Sequence, residues 1–220
     1  MDDPSHETLP LRQRIEDAYL HELRSEGRAP LSVFRLCQGL GITEREFFSE
    51  YSSLEAVERQ WWLGRMNHVI QSVESGPEWQ AFTARQRLLA FLFGFVEASM
   101  DFRSLLLVRL GHSLPVQPVR EWTALEERYE EFVRGILMHG RAQGEVMARG
   151  PLSAAYPKVL RVLLRSVMAF YLKDDSPKFE RTDAFIEKSV AVLFDLMGRQ
   201  ALDSGFDLMR FLLPGGLRRA

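Results

Sequence analysis

The chain has 220 residues, 46% of them hydrophobic and 26% charged, which excludes a mainly disordered protein and allows a substantial core. Its formal charge of −2 is unevenly placed, because residues 1–60 hold twelve acids against seven arginines and no lysine, leaving the remainder net basic. A single cysteine, Cys37, excludes an intrachain disulfide and stands among apolar neighbours as a small core residue. The opening MDDPSHETLP has neither the basic nor the apolar region of a signal peptide, and no apolar run is long enough to cross a bilayer. A cytoplasmic protein is the resulting expectation.

Apolar residues recur at helical spacing along nearly the whole chain, with no alternating strand pattern, so the expected class is all-α. Leu11, Ile15, Ala18, Tyr19 and Leu23 form the first stripe, which ends in SEGRAP (25–30). Pro30 or Ser32 opens a short helix through LSVFRLCQG, and Gly39 and Gly41 bracket a tight turn. Thr43 with Glu46 three residues on predicts a capping box at the start of the third helix. Ser52 or Ser53 then caps a longer helix through Trp61 and Trp62 to about Val73, broken by SGPEW (75–79). Apolar helices follow over 82–100 and 102–112, stopped by LPVQP (114–118). An amphipathic helix runs from Val119 to about Gln143, and two more occupy 153–172 and 180–202. The organisation expected is a three-helix unit over 1–52, a connecting helix over 53–74 and a larger bundle over 75–220.

No enzyme is visible in this pattern. His6, His21, His68, His112 and His139 are scattered, and no nucleophile motif or glycine-rich phosphate loop occurs, so neither a metal nor a cofactor is expected. The doublets Glu126–Glu127 and Glu130–Glu131 are expected on a solvated helix face. Phe91, Phe95, Met100, Phe102, Trp122, Phe132, Met138 and Met168 supply the middle helices with aromatic and thioether side chains, for each of which core packing is a sufficient role. In the tail, Phe206, Met209, Phe211, Leu212 and Leu213 precede Arg218 and Arg219. That pattern suits a peripheral membrane contact, a protein partner, or packing on the chain's own bundle.

The stretch from Arg12 to Trp62, with Gly27, Val33, Leu36–Cys37, Leu40–Gly41–Ile42, Thr43, Phe47–Phe48, Tyr51, Ser53 and Glu55–Ala56 at fixed spacing, resembles the N-terminal helix-turn-helix domain of TetR-type regulators. MAFYLKDDSPKFERTDAFIEKSVAVLFDLMG (168–198) is similar to the last two helices of the same family. The resemblance implies a homodimer built on the two final long helices, for which Leu160, Leu164, Val167, Ile186, Val190, Leu193, Phe194 and Met197 are the interface candidates. It also implies an apolar ligand cavity lined by the aromatic and methionine set named above, suited to an acyl chain or isoprenoid.

At the helix-turn-helix the chain departs from that pattern. Phe48 stands where a tyrosine hydroxyl usually reaches a phosphate, and Glu50 where a histidine or aromatic donor is common. Leu54 replaces a lysine, and Glu46 replaces a small residue. Thr43, Arg45 and Arg28 remain as candidate DNA contacts. Since lysine and arginine supply most non-specific DNA affinity, three lost donors and two added carboxylates lead to the expectation of a retained fold without DNA binding. The same cast, a proline before Ser32–Val33 and then Gly41–Ile42 and Glu46–Phe47–Phe48, resembles a group of bacterial TetR-like proteins with an acidic motif. The alternative expectation is a ligand-responsive transcriptional repressor.

Overall fold

The computed structural model describes residues 9–110 and 120–198, which form α-helices joined by loops and short 3₁₀ turns, with no strand among the described residues. Helix α1 (Leu11–Glu26) ends at Gly27, whose φ of 67° is a left-handed conformation that glycine adopts without strain. Helix α2 (Val33–Leu40) is capped by Ser32, whose hydroxyl accepts from the Arg35 amide at 3.2 Å. Helix α3 (Glu44–Glu50) begins with the capping box read from the sequence: Thr43 accepts from the Glu46 amide, and the Glu46 carboxylate accepts from the Thr43 amide at 2.7 Å. Ile15, Tyr19 and Leu23 of α1 close over Leu36, Cys37, Phe47 and Tyr51, so the three short helices share one core. Arg14 adds a hydrogen bond from its guanidinium to the carbonyl of Leu40, fixing α1 against the end of α2.

Helix α4 (Leu54–Glu74), capped by Ser53, carries this unit into the bundle. Trp62, Met66, Val69 and Ile70 are buried along it. Helix α5 (Ala84–Ser99) starts with a second capping box, Thr83 with Gln86, and its Ala84 amide also donates to the Glu145 carboxylate at 3.0 Å. The apolar stretch read as helices over 82–100 and 102–112 is divided by a 3₁₀ turn at Met100–Phe102, after which α6 (Arg103–Leu110) begins. Helix α7 (Thr123–Ala142) follows a 3₁₀ turn at Arg120–Trp122. Helix α8 (Tyr156–Lys173) follows another over Gly150–Ala155, so its regular part starts three residues later than the periodicity predicts. Helix α9 (Glu180–Met197) ends at Gly198, and the sequence-predicted continuation over 199–202, like the tail 205–220, lies outside the described residues.

The connection from α8 to α9 is held by one carboxylate. Asp174 accepts from the amide and hydroxyl of Ser176 at 2.9 and 2.7 Å and from the amide and hydroxyl of Thr182 at 2.8 and 2.7 Å. The Thr182 amide is one of the unpaired N–H groups of the first turn of α9, so Asp174 caps that helix from a distance in sequence. No described helix is long and apolar enough to cross a membrane.

Candidate functional site

Two faces and one interior were singled out by the sequence, and the structure arranges each differently. On the helix-turn-helix, Phe47 is fully buried and holds Phe48 edge-on, with ring centroids 5.4 Å apart, which turns the Phe48 ring outward to 52% exposure. Phe34 of α2 is 62% exposed and Leu31 just before it 59%. Glu44 and Glu46 are exposed beside them on α3, and Glu50 closes the helix half-buried. The backbone N–H of Thr43, and then its hydroxyl, hold the Glu46 carboxyl below its usual range, so it stays anionic.

The three candidate DNA contacts fare unequally. Arg28 and Arg45 are exposed, as is Arg35. Thr43 donates its hydroxyl proton to Glu46 at 2.8 Å and accepts from the Glu46 amide, so its side chain is engaged within the capping box. Arg14, Arg24, Arg28 and Arg35 lie along an open groove of about 1710 Å³ over α1 and α2, where Asp17, Glu22 and Glu26 offset much of their charge.

In the bundle, Phe91 stacks on Phe95 at 5.8 Å, meets Tyr129 at 5.1 Å and Phe132 at 5.0 Å, and all four are buried. Trp122 packs on Trp62 at 5.4 Å, and Trp62 on Phe102 at 5.7 Å. Met168 is buried, with Ser99 Oγ 3.9 Å from its sulfur. The structure therefore brings together Phe91, Phe95, Phe102, Trp122, Phe132 and Met168 as interior residues. Met100 and Met138, 49% and 66% exposed, stand outside that interior. Two of its polar atoms lack a hydrogen-bond partner: Trp122 Nε1 and the Tyr129 hydroxyl, whose ionisation burial pushes far above the ordinary phenol range.

The expectation for the glutamate doublets needs correction. Glu127 and Glu131 are exposed, but Glu126 and Glu130 are only 5% and 9% exposed. Glu126 accepts from Arg165 Nε at 2.5 Å, and Glu130 faces Arg161 Nη1 at 2.8 Å. The sequence held the signal: acids four residues apart on α7 match arginines four residues apart on α8. A second buried ionic centre was also missed. Glu58 of α4 is completely buried and accepts from Tyr19, Trp62 and Arg109, which come from α1, α4 and α6.

The dimer candidates divide by face. Leu160, Leu164, Val167, Ile186, Val190, Phe194 and Met197 are buried within the single chain, and Leu193 is half-buried. Val159, Val162, Val192 and Leu196 are exposed, and Phe170 and Phe185 stack with centroids 4.7 Å apart and remain half-buried. Both final helices are thus apolar on two sides.

No curated protein sequence matches the chain. A solved structure described as a bacterial regulatory protein in the tetR family, from Rhodococcus RHA1, is similar at 13% identity and a TM-score of 0.49, covering 87% of this chain and 98% of that one. The family model of the tetracyclin repressor-like C-terminal domain matches residues 87–212, more than half of the sequence, and the chain belongs to that TetR family.

Proposed function

We propose that this protein is a TetR-fold homodimer that takes a hydrophobic small molecule or lipid into its helical bundle and whose helix-turn-helix does not hold DNA. The observation that carries the last part is the solvent face of α3. It presents Glu44, Glu46 and an outward-turned Phe48, and the Thr43 hydroxyl is occupied by Glu46. A carboxylate near a phosphate is repelled by about 1 kcal/mol in water and more once desolvated, and few donors are left to offset that. The test is fluorescence anisotropy of the full chain with its own upstream region and with a random duplex, titrated from very low salt. Specific binding with a steep salt slope overturns the DNA-free reading; no binding at the lowest salt supports it.

For the ligand, the supporting observation is two orphaned donors in the interior: the Tyr129 hydroxyl, whose ring meets Phe91, and Trp122 Nε1, whose ring packs on Trp62. A largely apolar molecule with an acceptor, such as an acyl or isoprenoid chain with a carbonyl, would satisfy such a donor by displacing part of the aromatic packing. For the dimer, the supporting faces are those left uncovered: Val159 and Val162 on α8, Val192 and Leu196 on α9.

A second reading, a ligand-responsive transcriptional regulator, is favoured by the exposed guanidiniums of Arg28, Arg35 and Arg45. The same anisotropy titration decides between the two.

A further inference from the structure

We propose that the exposed face of α2 and α3 is a docking surface for a protein partner that presents apolar side chains among lysines or arginines. The proposal rests on the reading that this face does not hold DNA, and it names what the face holds instead. Phe34 and Phe48 are the exposed phenylalanines among the described residues; they fall on two consecutive short helices, and exposed Leu31 lies two residues before the first of them. Each of the three leaves more than half of its surface in water.

The scaffold beneath is firmly built. Ser32 caps α2, Thr43 and Glu46 cap α3, and Gly41 makes the turn between them at φ 65°. Buried Phe47 sets the direction of Phe48. The partner's chemistry follows from what surrounds the rings. Arg35 stands beside Phe34 on α2, whereas helix α3 carries three carboxylates, Glu44, Glu46 and Glu50, against one guanidinium, Arg45. That field disfavours a phosphate backbone and an anionic bilayer alike, and it attracts a cationic surface. Phe48 between Glu46 and Glu50 on α3, with Phe34 and Leu31 on the α2 side, fits a basic amphipathic helix that lays its apolar side chains on the rings and its cations over α3. A second copy laid face to face would set carboxylates against carboxylates.

The test uses the full chain and a fluorescein-labelled amphipathic helical peptide of leucine and lysine, with its leucine and glutamate counterpart as control. The expected result is binding of the lysine peptide only, weakened at least tenfold in Phe34→Ser/Phe48→Ser and in Glu44→Lys, with melting curves showing that both variants fold. No binding of the lysine peptide, or binding that neither variant weakens, overturns the proposal. A random duplex in the same buffer separates the two readings. A duplex bound by the wild type and lost in the Phe34→Ser/Phe48→Ser variant removes the DNA-free reading itself. With both duplex and peptide ignored, the docking proposal falls and the DNA-free reading stands. Sedimentation of the same variant adds a last arm, since loss of self-association would make a second copy the occupant and overturn a foreign partner.

Discussion

Arg109 of α6 donates from Nε to Glu58 of α4 at 2.7 Å, and the Glu58 carboxylate, 1% exposed, accepts from Tyr19 of α1 as well. One buried charge therefore ties the first helix of the helix-turn-helix to a helix of the bundle. Removing the cation leaves that carboxylate with neutral donors only. Arg109→Met is expected to cost about 3–5 kcal/mol, and Glu58→Gln/Arg109→Met less than the sum of the single changes. Urea denaturation of the three variants checks both statements. A loss under about 1 kcal/mol for Arg109→Met would mean that the pair behaves as a solvent-screened one.

The two faces of α8 and α9 give opposite expectations. Val162→Glu or Val192→Glu places a charge on the uncovered side, and sedimentation should show a dimer becoming a folded monomer. Leu164→Ala, on the inner side, should instead lower stability by about 2–5 kcal/mol through a cavity and leave the assembly state alone. If the glutamate variants remain dimeric, a different face makes the dimer.

A designed return of phosphate donors addresses α3 directly. Phe48→Tyr, Glu50→Lys and Leu54→Lys together replace the departures at these positions with groups that can neutralise or bond phosphates. DNA affinity should rise, and the slope of log K against log salt should steepen by roughly 2, about 0.9 for each added phosphate contact. Anisotropy at four salt concentrations measures the slope. An unchanged slope would show that α3 does not approach the backbone at all.

Much of this architecture was legible because local and global signals agree. Thr43 with Glu46, the Gly41 turn and the stripe from Leu11 to Leu23 each specify a local structure, and the fold uses each as specified. The inward face of α8 and α9 was not legible, since both helices are apolar on two sides and periodicity does not say which side a chain keeps for itself. The buried charges were missed for a related reason. Glu126 was expected on a solvated face and Glu58 was not singled out, because only the folded helices bring Arg165 and Arg109 to them across 39 and 51 residues of sequence. For the proposed ligand site the sequence supplied the aromatic residues, but Tyr129, whose hydroxyl is orphaned among them, looked like one more residue of an amphipathic helix.

Among the described glycines, Gly140 sits in the tightest space. A Cβ there would lie 2.8 Å from Ala84 Cβ and 2.9 Å from Val146 Cγ2. Neither neighbour can yield easily, because the Ala84 amide is held by Glu145 and the Val146 amide by the Gly140 carbonyl. Gly140→Ala should therefore destabilise by about 1–3 kcal/mol through overpacking, although alanine is the better helix former. Gly135 on the same helix meets nothing, and Gly135→Ala should stabilise by about 1 kcal/mol at most. The pair of urea curves separates crowding from helix propensity.

Asp174 gives the chain a pH dependence of predictable sign. Burial acts to raise its pKa, but the hydrogen bonds from Thr182 and Ser176 outweigh it and hold the carboxyl well below the usual range. A folded-state pKa below the unfolded one, which is about 4, means that the unfolded chain binds the proton first as acid is added. The stabilisation is then fully present above about pH 4 and is lost as the pH falls through the folded value. Asp174→Asn keeps one acceptor oxygen but turns an NH₂ toward N–H or O–H donors on the other side, so one set of bonds to Ser176 or Thr182 fails. Its melting temperature should fall by several degrees near neutral pH, and the gap to the wild type should narrow steadily in acid. A gap that stays constant from neutral pH into acid would show that Asp174 acts through shape and neutral hydrogen bonding rather than through its charge at the start of α9.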